Sequence, residues 1–208
     1  LQDFAALHRH YRSWLEQAAS DEVAIDVQVR LGRSLIRFPQ TAREGLTELE
    51  EVLRTVPTRR DVVPALWSMI VACERTEMAA ARNSAVVGAS AEVIDPLYAE
   101  ATAEAAKILE GVVGENAPAK TLAGIVQAQL RVLPPGAERQ ATLVRLARLM
   151  GDLDAPERAF QYLAEALRGD LENESIETQL EAIAAEHNYW EALAGLYEEC
   201  SANEDEHV

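Results

Sequence analysis

The sequence predicts an all-α protein of about ten helices. Apolar residues make up 49% of the chain, and aromatic residues only 5%. Ala and Leu dominate the apolar set, which favours helices over strands. Apolar residues also recur at helical spacing almost everywhere. Short polar, glycine or proline clusters interrupt this pattern, and helices are expected to end or turn there.

Capping signals predict where several helices begin and end. Thr41 with Glu44, and Asp154 with Glu157, have the spacing of a capping box. Asp95 precedes a proline that suits the first helical position. Glycines and prolines between apolar runs predict ends or turns. These are Pro39, Pro57, Gly88, Gly114, Pro134, Pro135, Gly136 and Gly169.

Two parts of the chain resemble each other. Residues 42–53 align with residues 156–167. The helices before them align through Leu31-Gly32-Arg33 and Leu146-Ala147-Arg148, and the first copy has one extra residue in its turn near Phe38-Pro39. Such repetition predicts an array in which each helix pair buries its apolar face against the next.

The second copy resembles a tetratricopeptide repeat. Large and small apolar residues at the family's spacing carry this resemblance: Leu143, Leu146, Ala147, Met150, Ala159, Leu163 and Ala166. A following unit has Ile176, Leu180, Ile183, Ala192 and Leu196, and the first copy has Leu31, Gly32, Leu35, Gly45, Leu49, Val52 and Pro57. In that family, small residues let two antiparallel helices approach closely, so Ala147 and Ala159 are expected at a close helix crossing. We expect the buried core to include Leu31, Leu35, Leu49, Leu146, Met150, Leu163 and Leu180. The resemblance covers about half of the chain.

The resemblance implies one helical-repeat domain over residues 1–208, with antiparallel helix pairs stacked as an α-α superhelix. Repeat-like units are expected at about residues 22–57, 59–90, 137–172 and 173–200, and a polar tail at 201–208. Residues 78–114 fit no repeat well and are predicted to be an irregular helical region. A longer helical pair, a change of superhelical curvature, and flexibility around residues 83–90 are the alternatives there. Leu171 stands where the family usually has a proline.

Charge and cysteine content exclude several classes of function. The net charge of -16 opposes binding to nucleic acid and to anionic lipid surfaces. Cys73 and Cys200 are too few for a disulfide framework and lack zinc-site spacing. No apolar segment approaches the roughly 20 residues of a membrane-spanning helix. We therefore expect a soluble, cytoplasmic protein without membrane insertion, although a start at Leu1 is typical of a trimmed chain or an excised segment.

Residues 114–121, GENAPAKT, have the spacing of a phosphate-binding loop. Ala119 stands where the second glycine belongs, and the preceding residues are predicted to be the end of a helix rather than a strand. We expect an ordinary turn, with Lys120 and Thr121 in the first turn of the next helix. No catalytic nucleophile is recognisable, and His8 and His10 are spaced to lie on different helix faces. We therefore expect neither an enzyme nor a cofactor or metal.

Trp14, Trp67 and Trp190 each lie within a helical apolar pattern. They are expected to pack between helices rather than to recognise a ligand.

Arginines at helical spacing are conspicuous against the acidic background. Arg30, Arg33 and Arg37 lie three and four residues apart, so they share one helix face. Arg145 and Arg148 occupy the aligned positions in the second copy. The resemblance implies that the first helix of each pair lines a concave groove, and the planar fork of arginine suits carboxylates there.

These five arginines are the candidate groove residues for an acidic or C-terminal segment of a partner. The alternative is that they form ion pairs with carboxylates of neighbouring helices, namely Glu48, Glu51, Glu157 or Glu165.

The leading hypothesis is a protein-interaction module or scaffold segment that binds a partner peptide or helix in a superhelical groove. The alternative is a nucleotide-dependent enzyme or regulator that uses residues 114–121. An architectural spacer, or a homo-oligomer formed by stacking of terminal repeats, is a third interpretation. The identity of the partner does not follow from the sequence.

Overall fold

The described part of the chain is almost entirely helical. The computed structural model describes the backbone of residues 2–87, 95–114 and 116–205, and the side chains of residue 6 and of residues 8–76, 95–114 and 116–202. Ten α-helices and one short 3-10 helix lie in these ranges, and no strand does. The predicted all-α class is therefore confirmed for them.

Packing divides the chain into two compact units, Leu1–Glu115 and Asn116–Val208. The helices of the first unit are α1 (Gln2–Glu16), α2 (Asp21–Leu35), α3 (Ala42–Thr55), the 3-10 helix (Arg60–Val62), α4 (Val63–Val87) and α5 (Pro96–Val113). The helices of the second unit are α6 (Ala119–Leu130), α7 (Ala137–Asp152), α8 (Pro156–Gly169), α9 (Glu174–His187) and α10 (Trp190–Asp205). That residues 1–208 act as one repeat domain stays a prediction.

Neighbouring helices pack against each other in the first unit. α1 packs on α2, α2 on α3 and α4 on α5, and α5 also packs on α3. Arg43, in the first turn of α3, forms ion pairs with Glu100 (3.2 Å) and Glu104 (3.8 Å) in the first half of α5. The later turns of both helices line one groove. α3 and α5 therefore run side by side in the same direction, an arrangement compatible with two successive helix pairs.

In the second unit, each helix from α6 to α10 packs on the next one along the chain. Apolar side chains from all five helices form one continuous core. This packing in neighbouring pairs is compatible with a helical repeat.

The predicted core residues are buried. Leu31, Leu35, Leu49, Leu146, Met150, Leu163 and Leu180 are each at most 3% exposed. The small residues Ala147 and Ala159 are buried as well, at 4% and 2%. These burial predictions are confirmed, because the apolar face of each amphipathic helix lies against its neighbours.

The aligned segments form corresponding helix pairs, α2 with α3 and α7 with α8. α2 ends at Leu35, whereas α7 continues for two residues past the aligned Met150. Ile36 follows Leu35 and is buried, while Gly151 after Met150 is exposed. At this point the first copy therefore has a buried isoleucine where the second copy has an exposed glycine.

The helix-start prediction at Asp95 is confirmed. Its carboxylate accepts a hydrogen bond from the amide N–H of Leu97 at 2.9 Å, and Pro96 is the first residue of α5. Two further caps were not predicted. The side chains of Ser20 and Asn173 accept hydrogen bonds from amides in the first turns of α2 and α9.

Both predicted capping boxes are wrong in detail. α3 does begin after Thr41, but the Thr41 hydroxyl donates to the carbonyl oxygen of Leu35 at 2.8 Å instead of capping. α8 begins at Pro156, and Asp154 has a left-handed backbone with φ 55° in the preceding turn. Capping-box spacing alone does not decide which neighbour a short polar side chain binds.

Residues 78–114 contain the end of α4 and all of α5, which pack together as a long helical pair. From residue 59 to residue 87, the chain forms the 3-10 helix and the single helix α4. Two predictions fall outside the described residues. They are the turn at Gly88 and the flexibility of residues 88–90. The polar tail was predicted to begin at residue 201, but α10 continues into it and ends at Asp205.

Candidate functional site

Two arginines of α2 and one in the turn after it are exposed. Val27, Leu31 and Leu35 are buried, whereas Arg30, Arg33 and Arg37 are all exposed. Arg37 lies just beyond the end of α2, in the turn that leads to α3. This surface, Arg30, Arg33 and Arg37, is called the α2 arginine face below.

Arg33 is the one member of the α2 arginine face with a hydrogen-bond partner among the described residues. Its guanidinium donates to the backbone carbonyl oxygen of Asp61, the middle residue of the 3-10 helix. Arg59 binds the Asp61 carboxylate at 2.8 Å and also contacts Asp26 of α2. The hydrogen bond from Arg59 lowers the pKa of Asp61, and the nearby charge of Arg33 lowers it further. Arg33 therefore belongs to a local ionic network.

Arg30 and Arg37 differ from Arg33, since neither forms an ion pair or side-chain hydrogen bond within the described part of the chain. Their charges are therefore available to a ligand. An exposed guanidinium without a partner loses little on binding a carboxylate, because no internal contact has to be broken first.

Most of the carboxylates expected to neutralise the five arginines bind other groups. Glu48 contacts Arg12 of α1 at 2.7 Å, and Glu51 binds Arg54 of its own helix. Both carboxylates are therefore engaged by arginines outside the α2 arginine face. In the second unit, Glu165 binds Arg139 at 2.6 Å. Glu157 is exposed.

The arginines of α7 have the same exposure as their counterparts on α2. Arg145 and Arg148 are exposed, while Leu146, Ala147 and Met150 between and after them are buried. Arg148 forms no ion pair within the described ranges. The aligned arginines therefore lie on the outer face of the first helix in both pairs.

The segment that resembles a phosphate-binding loop follows a helix. Gly114 ends α5 with φ 72°, and α6 begins at Ala119. Lys120 and Thr121 lie in the first turn of α6, as expected, and Lys120 is exposed. Glu115 is outside the described residues. A phosphate-binding loop of this type normally follows a buried strand, and no strand occurs in the described ranges.

The packing role expected for the tryptophans is wrong for two of the three. Trp14 and Trp190 are 43% and 52% exposed, while Trp67 is half-buried. The ring of Trp14 contacts that of His10 in a tilted arrangement, with centroids 4.4 Å apart. A single apolar position at the end of a helix does not determine whether a neighbouring helix covers it.

Cys73 and Cys200 are both buried, and no disulfide joins them. Within the described residues, no three His, Cys, Asp or Glu side chains come together as potential metal ligands. The imidazole of His8 in α1 lies 3.2 Å from the carboxylate of Glu44 in α3.

A groove between α3 and α5 was not predicted. It is open, has a volume of about 560 Å³, and presents a mostly apolar surface. Its lining residues are Thr47, Glu50, Glu51, Leu53, Arg54, Lys107, Ile108, Gly111 and Val112. The contact of α3 with α5 creates the groove, and these helices are more than forty positions apart in sequence, so spacing within one helix gives no signal of it.

No protein-family model matches this chain, and no curated protein matches it in sequence. Among the described helices, none combines the length and apolar character needed to span a membrane.

Proposed function

We propose that this chain is a protein-interaction module of the tetratricopeptide type that binds an acidic segment of a partner protein on the α2 arginine face. Arg145 and Arg148 of α7 are a second contact region of the same kind. The supporting observation is that Arg30 and Arg37 are exposed without an ion-pair partner in the described part of the chain. Several other arginines are paired with carboxylates.

The arrangement of helix pairs supports the repeat type. α2 and α3, and then α4 and α5, pack as successive pairs whose second helices run in the same direction. Two glycines pack at the crossing of α2 and α3, and two alanines are buried at the aligned positions of α7 and α8. Small residues at this crossing are typical of tetratricopeptide repeats.

Electrostatics supports an acidic ligand. The net charge of -16 repels acidic segments on average. The α2 arginine face concentrates positive charge locally, and a hydrogen bond to a charged group contributes about 1.5 to 3 kcal/mol. Attraction between exposed charges is screened over about 8 to 10 Å at physiological ionic strength. Binding at this face should therefore weaken as salt is added.

A charge-reversal experiment tests the proposal. The probe is a fluorescein-labelled dodecapeptide rich in Asp and Glu that ends in a free carboxylate, with binding measured by fluorescence anisotropy. The double variant Arg30→Glu/Arg37→Glu should weaken binding at least tenfold, which corresponds to about 1.4 kcal/mol. These two positions are preferable to Arg33, whose reversal would also disrupt its contact with Asp61.

The matched control is Arg75→Glu/Arg158→Glu, which changes the net charge equally at two other exposed arginines. This control should retain most of the affinity. If both double variants lose affinity equally, the attraction is a general charge effect and the proposal fails. It also fails if the intact chain does not bind the acidic peptide at low salt.

A further inference from the structure

The groove between α3 and α5 is open because no side chain crosses it. Gly111 of α5 has no side chain, and a Cβ atom added there would meet nothing within 4 Å. On the opposite wall, Arg54 folds back along its own helix, and its Nε and Nη2 donate to Glu51 at 3.0 and 2.7 Å. The apolar side chains of Leu53, Ile108 and Val112 therefore stay accessible between the two helices.

The corresponding position of the second unit is bridged by side chains. Leu167 and Arg168 align with Leu53 and Arg54. Arg168 reaches Glu199 of α10 at 2.8 Å, whereas Arg54 binds within α3. Leu167 is 1% exposed and belongs to the core of its unit, while Leu53 is only half-buried. At this repeat position, the leucine of the second unit is therefore buried beside an ion pair that joins two helices, whereas Leu53 lines an accessible groove.

The dimensions of the groove suit a helix. The lining of α3 from Thr47 to Arg54 covers two helical turns, roughly 10 Å at a rise of 1.5 Å per residue. Two turns of a bound helix can place apolar anchors at positions i, i+4 and i+7. An extended peptide would find few main-chain partners here, because the backbone groups of helix interiors are already hydrogen-bonded to each other.

The two rims of the groove carry opposite charges. Lys107 on the α5 rim and Glu50 on the α3 rim are exposed, and neither forms an ion pair with a described residue. A partner that lies between them is complementary when it has carboxylates on the α5 side and basic residues on the α3 side. The charge pattern therefore also determines the direction in which an asymmetric helix lies.

We propose that the groove between α3 and α5 binds an amphipathic helix of a partner protein, with an apolar ridge flanked by acidic residues on the Lys107 side and basic residues on the Glu50 side. This site is distinct from the α2 arginine face, and it does not depend on the function proposed for that face. It recognises an apolar ridge first and charge second, whereas the arginines recognise carboxylates alone.

Two synthetic helices test the proposal with the intact chain. Each is an 18-residue, fluorescein-labelled peptide with Leu at positions i, i+4, i+7 and i+11. One has Glu on one side of the ridge and Lys on the other, and the second has Glu on both sides, because a peptide with the two sides merely exchanged would regain complementarity by binding in the opposite direction. Fluorescence anisotropy should show at least fivefold tighter binding of the first peptide. The variant Glu50→Lys should reverse that preference, because both rims of the groove are then basic.

Filling the groove is an independent test. Gly111→Trp should weaken binding of the first peptide at least tenfold, because the indole occupies open space above Ile108 and Val112. The control Gly195→Trp introduces the same side chain at a helical glycine of α10 that also has open space around it, and it should retain the affinity. Circular dichroism establishes that each variant is folded. If Gly111→Trp is unfolded, the Glu50→Lys variant still decides the question.

Three results would overturn the proposal. The first is equal binding of both peptides by the intact chain, and the second is an unchanged preference in the Glu50→Lys variant. The third is saturable binding of a small apolar probe, such as anilinonaphthalene sulfonate, that Gly111→Trp abolishes while neither peptide binds. That outcome would assign the groove to a small molecule.

Discussion

Gly32 and Gly45 face each other where α2 crosses α3, and neither has room for a side chain. A Cβ atom on Gly45 would lie 2.8 Å from the carbonyl oxygen of Gly32 and 2.7 Å from the Cβ of Leu35. A Cβ atom on Gly32 would lie 2.7 Å from the side chain of Leu49. Ala147 and Ala159 occupy the aligned positions of the second pair. The first crossing therefore requires glycine where the second accommodates alanine.

The variant Gly45→Ala should lower the free energy of unfolding by about 1 to 3 kcal/mol, the usual cost of overpacking a core. Urea denaturation followed by circular dichroism measures the change. Gly195→Ala is the control, because it adds the same methyl group in open space within a helix. That control should stabilise the chain by about 0.5 to 1 kcal/mol. A Gly45→Ala protein as stable as the parent would contradict the close approach of α2 and α3.

Ala159→Leu should destabilise the second unit for the same reason. Ala159 is 2% exposed within the core shared by α6 to α10. A leucine there adds three carbon atoms to a packed crossing and should cost about 1 to 3 kcal/mol. Ala185→Leu changes an exposed position of α9 and should leave the melting temperature nearly unchanged. Equal melting temperatures for the two variants would count against the alignment of α7–α8 with α2–α3.

Asp95→Ala should weaken the start of α5. Its carboxylate accepts from the amide of Leu97 at 2.9 Å, and loss of such a cap costs about 1 kcal/mol. Asp95→Asn keeps an acceptor and should retain most of the stability. Hydrogen exchange at the Leu97 amide reports the local effect. Unchanged protection of this amide in Asp95→Ala would show that the cap does not hold the first turn.

Asp61 should make the stability of the first unit sensitive to acid. Its folded-state pKa lies below the ordinary value of 3.8, chiefly because Arg59 donates a hydrogen bond to its carboxylate. The stabilisation is therefore present above pH 3.8 and is lost as the pH falls through the lower folded-state pKa. At neutral pH, Asp61→Asn should cost about 0.2 to 1 kcal/mol, as for other exposed ion pairs.

Urea denaturation of Asp61→Asn and of the parent at several pH values tests this contribution. The difference between the two proteins should be constant near neutrality and shrink below pH 3.8. Carbon-13 NMR of the Asp61 carboxyl should also show a titration midpoint below 3.8. A midpoint at or above that value would contradict the role of Arg59.

Calorimetric titration with ATP and magnesium should give no binding heat. Gly114 ends a helix, and Lys120 is an exposed residue of the first turn of α6. A strand that would aim a loop at phosphate is absent from the described ranges. If ATP instead binds at micromolar concentration and Lys120→Ala abolishes that binding, the nucleotide-dependent alternative is supported.

Sequence pattern predicted the core and the helices well. Leu31 and Leu49, and Leu146 and Leu163, were assigned to the core from helical spacing, and all four are buried. The cap at Asp95 was predicted from a proline in the next position. These features depend on interactions within a few residues, or on burial of one helix face, and both leave a direct signal in the order of residues.

Contacts between distant segments could not be predicted in the same way. The exposure of Trp14 and Trp190 depends on which helix lies beside them, and helical spacing does not specify that neighbour. The candidate arginines were identified from their spacing, but only the structure distinguished Arg33, bound to Asp61, from Arg30 and Arg37.

By itself, the sequence determined the all-α class, the duplicated helix pair and the residues of the core, because each follows from periodic burial of apolar side chains along a helix. The tertiary structure decided which charges are neutralised and where a groove stays open. Arg54 turns back to Glu51 while its counterpart Arg168 crosses to Glu199, although the two arginines align in sequence. The physical reason is that an ion pair depends on the position of both partners in space, and helix packing sets that position.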